Sequence, residues 1–183
     1  MNIYYSRVRA ALASLALTSV FLLTGCSSIN VDDYSDTGPK LDLKTFFDGK
    51  LKVYGMVQDF SGKMTRRFTA DIDASWNGET GILDELFYFD DGEQQTRVWT
   101  LNHEGNGKYT GTAGDVVGVA SGQTNGAVFR WQYVLTIPYD GITLDVKLDD
   151  WLYLITEDRL INRTSIRKFG IEVGQITLII EKI

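Results

Sequence analysis

The sequence predicts an all-β protein, an antiparallel meander of strands that closes into a barrel. Three observations carry that expectation. Apolar and polar residues alternate with period 2 from Gly49 almost to the end of the chain, as strands with one buried face require. Turn pairs punctuate the alternation at Asn77-Gly78, Asn125-Gly126 and Asp140-Gly141. Helical periodicity is almost absent. About nine or ten strands result, and a meander of that many leaves sticky edges unless it closes. An 8-10-stranded barrel is the simplest closure, and a two-sheet sandwich is the alternative.

The elements follow in order. Leu41, Thr45 and Phe46 fit one helical turn or the start of a strand. Leu51, Val53, Gly55 and Val57 share a face, and Asp59 to Lys63 turn the chain. Met64, Arg66, Phe68, Ala70, Ile72, Ala74 and Trp76 then alternate with polar partners up to Asn77-Gly78. The strand Thr80 to Asp90 places Leu83, Glu85, Phe87 and Phe89 together. After Asp90-Asp91-Gly92, one face carries Arg97, Trp99 and Leu101. The turn at His103 to Gly107 holds the sole histidine, which reads as solvated surface. Tyr109 to Thr112 and Val116 to Ser121 are short and glycine-rich, as bends or edges are. Phe129, Trp131, Tyr133, Leu135 and Ile137 share the next face. Ile142, Leu144, Val146, Leu148, Asp150, Leu152 and Leu154 form the cleanest series, broken only by Asp150. Leu160 to Lys168 and Ile171 to Lys182 complete the set.

Ahead of the barrel, Arg7 and Arg9 precede an apolar run from Ala10 to Leu23, which ends at Leu23-Thr24-Gly25-Cys26. A basic start, a short apolar segment and small residues before a cut describe a secretory signal peptide. The last four residues resemble a bacterial lipobox, which implies cleavage after Gly25 and acylation of Cys26. Ser27 stands where an Asp would favour inner-membrane retention in enteric bacteria, so the resemblance implies the outer membrane, on its periplasmic face. The expected organisation is residues 1-25 signal peptide, 26-42 polar tether and 43-183 barrel domain.

Bulk properties narrow the function. Cys26 is the only cysteine, so disulfides and multi-cysteine metal sites are excluded. The signal segment carries two arginines and no acid, so its removal takes the formal charge from −6 to −8. Such a chain repels nucleic acid and anionic surfaces. Membrane association is therefore expected through the N-terminal lipid. No cofactor or metal is predicted.

Polar residues on apolar faces are the candidate site. Strict alternation puts Arg66, Glu85, Arg97, Asp150 and Asn162 inward. An unpaired buried charge costs several kcal/mol, about what a broken buried pair costs. These residues therefore form an internal ion-pair network that fixes register, or escape through a bulge near Asp149-Asp150, or make a polar patch for a ligand's head group. In the last case Trp99 and Trp131, with Phe68, Phe87, Phe89 and Tyr133, line the cavity. Trp151 and Tyr153 point outward and are the candidate contacts for an envelope partner. Enzyme signatures are missing: there is no Gly-x-Ser-x-Gly elbow, phosphate loop or His-Glu-x-x-His. Adjacent acids such as Asp149-Asp150 point to opposite faces and make poor acid/base pairs. A non-enzymatic role is predicted.

Several stretches together resemble a family of uncharacterised proteobacterial lipoproteins, known only as a domain of unknown function. They are Phe47-Asp48-Gly49, Arg66-Arg67-Phe68, Asp91-Gly92-Glu93, Arg97-Val98-Trp99, Gly111-Thr112-Ala113, Asp150-Trp151-Leu152-Tyr153-Leu154, Asn162-Arg163 and Lys168-Phe169-Gly170. The resemblance implies a lipocalin-like barrel, with Gly49-Lys50-Leu51 where lipocalins carry Gly-x-Trp. The expected function is a lipid-anchored barrel lipoprotein that binds or carries a small apolar or fatty-acyl ligand. The alternative is a structural or assembly lipoprotein acting on an envelope partner.

Overall fold

The first and last strands pair with each other, and that pairing decides the architecture. In the computed structural model, Leu51 lies opposite Lys182 and Asp59 opposite Gly174 in an antiparallel ladder. This closes ten strands into a barrel in which every other neighbour pair is consecutive in sequence. The sandwich alternative is thereby excluded. The structure describes residues 29–139 and 141–183, and Val31–Ile183 form one compact unit. The signal peptide and Cys26 lie outside the described residues.

The strands are β1 (Gly49–Asp59), β2 (Met64–Asn77), β3 (Thr80–Phe89), β4 (Gln94–Gly105), β5 (Lys108–Thr112), β6 (Val116–Asn125), β7 (Val128–Tyr139), β8 (Ile142–Thr156), β9 (Arg159–Lys168) and β10 (Ile171–Lys182). The polar-apolar alternation becomes inside-outside alternation, as a closed barrel demands. Leu51, Ala70, Ile72, Leu83, Trp99 and Leu152 are buried within one cluster. A turn glycine with positive φ, such as Gly78 at 61°, carries the tight β2–β3 hairpin that Asn77-Gly78 predicts. His103 is not a turn residue. It belongs to β4, where its Nδ1 meets Glu79 Oε2 at 2.6 Å and its ring lies 4.7 Å from that of Tyr109.

One end of the barrel is plugged. A single helical turn, α1 (Leu43–Phe46), is capped by Asp42, whose side chain accepts from the Thr45 amide. It sinks Leu43 and Phe46 into the core, and Phe47 follows them. Trp76 Nε1 donates to the Phe47 carbonyl at 2.8 Å, and Lys182 Nζ to the Thr45 carbonyl at 2.7 Å, which pins the plug to β2 and β10.

The segment expected as a free tether is fastened from Val31 onward. Val31 and Leu41 are buried, and the Leu41 amide donates to the Gly126 carbonyl. Tyr34 sits on the rings of Trp151 and Tyr153 at 6.1 and 6.0 Å. Trp151 and Tyr153 do face outward, but the chain's own N-terminal segment already covers them. Polar composition concealed this, because Asp32 and Thr37 make their contacts through hydrogen bonds and only Val31, Tyr34 and Leu41 do so through apolar surface.

Candidate functional site

The barrel interior holds two adjoining chambers. The inner one has a volume of about 160 Å³ and is floored by Leu43 and Phe47. The outer one has a volume of about 600 Å³ and reaches the opposite end, where Arg66, Phe89, Glu93 and Pro138 surround it. Phe68, Phe87, Arg97, Tyr133 and Ile176 line both. The outer volume falls within the range of about 300–1,000 Å³ usual for small-molecule pockets.

Aromatic rings make the walls. Trp99 meets Trp131 at 5.7 Å and Tyr133 at 5.2 Å, edge to face, and Phe129 leans on Trp131 at 5.4 Å. Glycines on neighbouring strands make room for them. A Cβ on Gly122, opposite Trp131, would come within 2.2 Å of the Arg130 carbonyl and 2.7 Å of the Trp131 ring. Gly55 likewise accommodates the Phe68 ring, which lines both chambers.

A polar belt crosses this apolar interior. On one wall Glu85 pairs across the ladder with Arg97; on the other, Asp150 stands between Trp131 and Thr164, and Asn162 is opposite Leu152. Glu85, Asp150, Asn162 and Thr164 are all buried. Asp150 sits in regular pairing, so the bulge expected near Asp149-Asp150 is not there; the irregularity in that strand pair falls between Leu154 and Thr156.

The charges pair only in part. Arg97 grips Asp115 with Nε at 3.0 Å from both carboxylate oxygens and Nη2 at 2.7 Å from Oδ2. Glu85 is farther from it, with Oε2 at 3.9 Å from Nη1. Burial pushes the Glu85 carboxyl up to about 7 against the pull of Arg97. Burial also pushes Asp150 up to about 7, although the Thr164 and Tyr133 hydroxyls hydrogen-bond to it and favour the charged form. The belt can therefore accept hydrogen bonds and exchange protons near neutral pH.

Six of the seven sequence-predicted ligand residues meet in the inner chamber: Glu85, Arg97, Trp99, Trp131, Asp150 and Asn162. Arg66 does not join them. It stands at the outer end, where it reaches Asp91 at 2.7 Å and Glu93, with its guanidinium 3.5 Å from the Phe89 centroid. Asp115 is the residue that alternation missed. It lies between β5 and β6, outside any strand, where period 2 carries no information. Its one available signal was that Arg97 needed a counter-charge once Arg66 was served by the adjacent turn.

Comparison with known proteins bears on the fold and on the family. The S-type phycobiliprotein lyase CPES from Guillardia theta is similar in structure, with a TM-score of 0.53 at 10% sequence identity, over 84% of this chain and 96% of that one. The likeness makes the barrel lipocalin-like. No curated protein matches the sequence. The model of a protein family of unknown function, DUF3833, matches residues 20–182. A match over that span makes the chain a member of the DUF3833 family.

Proposed function

We propose that the barrel binds a small, largely apolar molecule in its two chambers and serves as a lipid-anchored carrier on the periplasmic face of the outer membrane. One observation carries the reading: an aromatic-walled interior that is plugged at one end and hollow toward the other. A barrel built only for its surface gains stability by filling that space, since each void forfeits packing contacts. The solved lyase of similar fold is named for phycobiliproteins; that supports an interior suited to ligands and says nothing of which one.

Native mass spectrometry of the protein isolated from a bacterial host tests it, together with titration by the fluorescent dye N-phenyl-1-naphthylamine. A retained small molecule or saturable dye binding is the expected result. Neither one, in a folded sample, overturns the reading. The same spectrum tests the anchor: a chain beginning at a diacylated Cys26 is expected, and an intact N-terminus overturns it.

A second reading rests on a different surface. Phe60, Tyr139, Ile142, Phe169 and Ile171 are exposed at the hairpins of the end opposite the plug. Contact with an envelope partner is better placed there than at Trp151 and Tyr153, which Tyr34 occupies. Co-purification of a specific partner, lost on Phe169→Ser, is what this reading expects.

A further inference from the structure

What the belt leaves unsatisfied limits the chemistry of the ligand. Two buried side-chain oxygens, Asp150 Oδ1 and Asn162 Oδ1, have no hydrogen-bond partner among the described residues, and each residue is only 7% exposed. Arg66 Nε also lacks a well-aligned hydrogen bond, but it lies 2.7 Å from Asp91 Oδ2, so its charge is met. A buried acceptor without a donor loses its hydration and gains nothing in return. Two such acceptors stand on neighbouring strands and line the same inner chamber.

Both orphaned atoms are acceptors, and the only guanidinium in that chamber is engaged. Arg97 spends its fork on Asp115. A carboxylate entering the chamber would meet the carboxyls of Glu85 and Asp150, with the Nε and Nη2 edge of Arg97 already committed to Asp115. A group carrying N–H or O–H would find two acceptors already desolvated. The size fits: an apolar cavity of about 150 Å³ holds a benzene-sized group, so an inner volume of about 160 Å³ takes a small head and leaves the rest of a ligand to the outer chamber.

We propose that the inner chamber takes the polar end of a ligand that donates hydrogen bonds, such as an amide, hydroxyl or ammonium, with Asp150 Oδ1 and Asn162 Oδ1 as its acceptors, and that it rejects a free carboxylate. The inference rests on the ligand-binding reading and deepens it, since an acyl ligand would then be held as its amide or alcohol and not as the free acid.

A matched pair of probes tests it: decanamide, with two N–H donors, and decanoate, of equal length with none. Both are titrated at pH 8 against the full-length protein, with quenching of Trp99 and Trp131 as the readout. Decanamide is expected to bind at least about tenfold more tightly, the equivalent of one unsatisfied acceptor. Asn162→Leu should weaken decanamide about tenfold and leave decanoate unchanged. Asp150→Asn should narrow the gap by strengthening decanoate. Asn162→Asp keeps the acceptor and the shape, so it should retain decanamide and weaken decanoate further, which guards against a variant that fails to fold. Equal or tighter binding of decanoate to the unaltered protein overturns the inference, as does a ratio indifferent to Asn162→Leu. Dye binding without binding of either probe overturns the inference and spares the ligand-binding reading. Absence of all three overturns both.

Discussion

Arg66 and Arg97 occupy equivalent places in the sequence pattern, yet they meet opposite fates. Each interrupts an inward-facing apolar series. Arg66 sits at the open end, near the start of β2, and the neighbouring turn supplies Asp91 and Glu93 as partners that stay half exposed. Arg97 sits in the middle of the barrel, shared by the largely buried Glu85 and by Asp115, whose side chains are 12% and 37% exposed. Solvent screens the first pair and leaves it worth about 0–1 kcal/mol. In the second, Arg97 and Glu85 are largely buried, and a mostly buried charge is costly to leave without its partner. The same pattern position thus produces a rim ion pair in one place and an internal belt in the other, and depth along the barrel axis makes the difference.

The most direct way to break this comparison is to remove each guanidinium. Arg97→Met should lower unfolding stability by about 1–3 kcal/mol, because Glu85 is left buried without its counter-charge while the half-exposed Asp115 falls back on solvent. Arg66→Met should cost about 0–1 kcal/mol. Urea denaturation midpoints measure both, and similar losses would erase the distinction.

The pH dependence sharpens the comparison next. Burial raises Glu85 and Asp150 from the usual carboxylate range to about 7. The native state therefore holds more protons than the unfolded state between roughly pH 4 and 7, and stability is lost as pH rises through about 7. At the rim, hydrogen bonds and Arg66 hold Asp91 and Glu93 below their ordinary values, so their contribution is lost as pH falls through that lower range. Midpoints should be highest near pH 5 and should decline toward pH 8. Glu85→Gln or Asp150→Asn should flatten the alkaline side, each by up to roughly 3 kcal/mol. An unchanged slope would mean the belt does not titrate with folding.

A smaller effect belongs to the wall between the regions. A Cβ on Gly55 would meet the Phe68 ring at 2.3 Å. Gly55→Ala should push that ring toward the chambers, cost about 1–3 kcal/mol by overpacking, and weaken dye binding. Undiminished dye capacity would show that the Phe68 ring does not bound the space the dye fills.

How much of this was legible beforehand follows from what period 2 encodes. Alternation specifies a face, so Glu85, Arg97, Asp150 and Asn162 were placed inward correctly. It does not specify height, so Arg66 was grouped with residues of the inner chamber, which it does not line. Nor does it extend to turns, which is why Asp115 went unseen. Val128 and Trp151 fall on outward faces, but a segment far away in sequence lies along that side, and Val128 is 1% exposed. Composition marked that segment as linker because its anchors, Val31, Tyr34 and Leu41, are spaced too irregularly to register as a pattern.

The ladder between β1 and β10 also dictates an order of events. Leu51 cannot find Lys182 until nearly the whole chain exists. Until then β1 keeps an unpaired edge, and the belt stays wet. Closure between the sequence extremes is slow, because the contact spans almost the full domain and the loop entropy must be met first. A chain shortened by its final strand would therefore lose its interior along with its edge, and would be recovered as aggregate rather than as a smaller barrel.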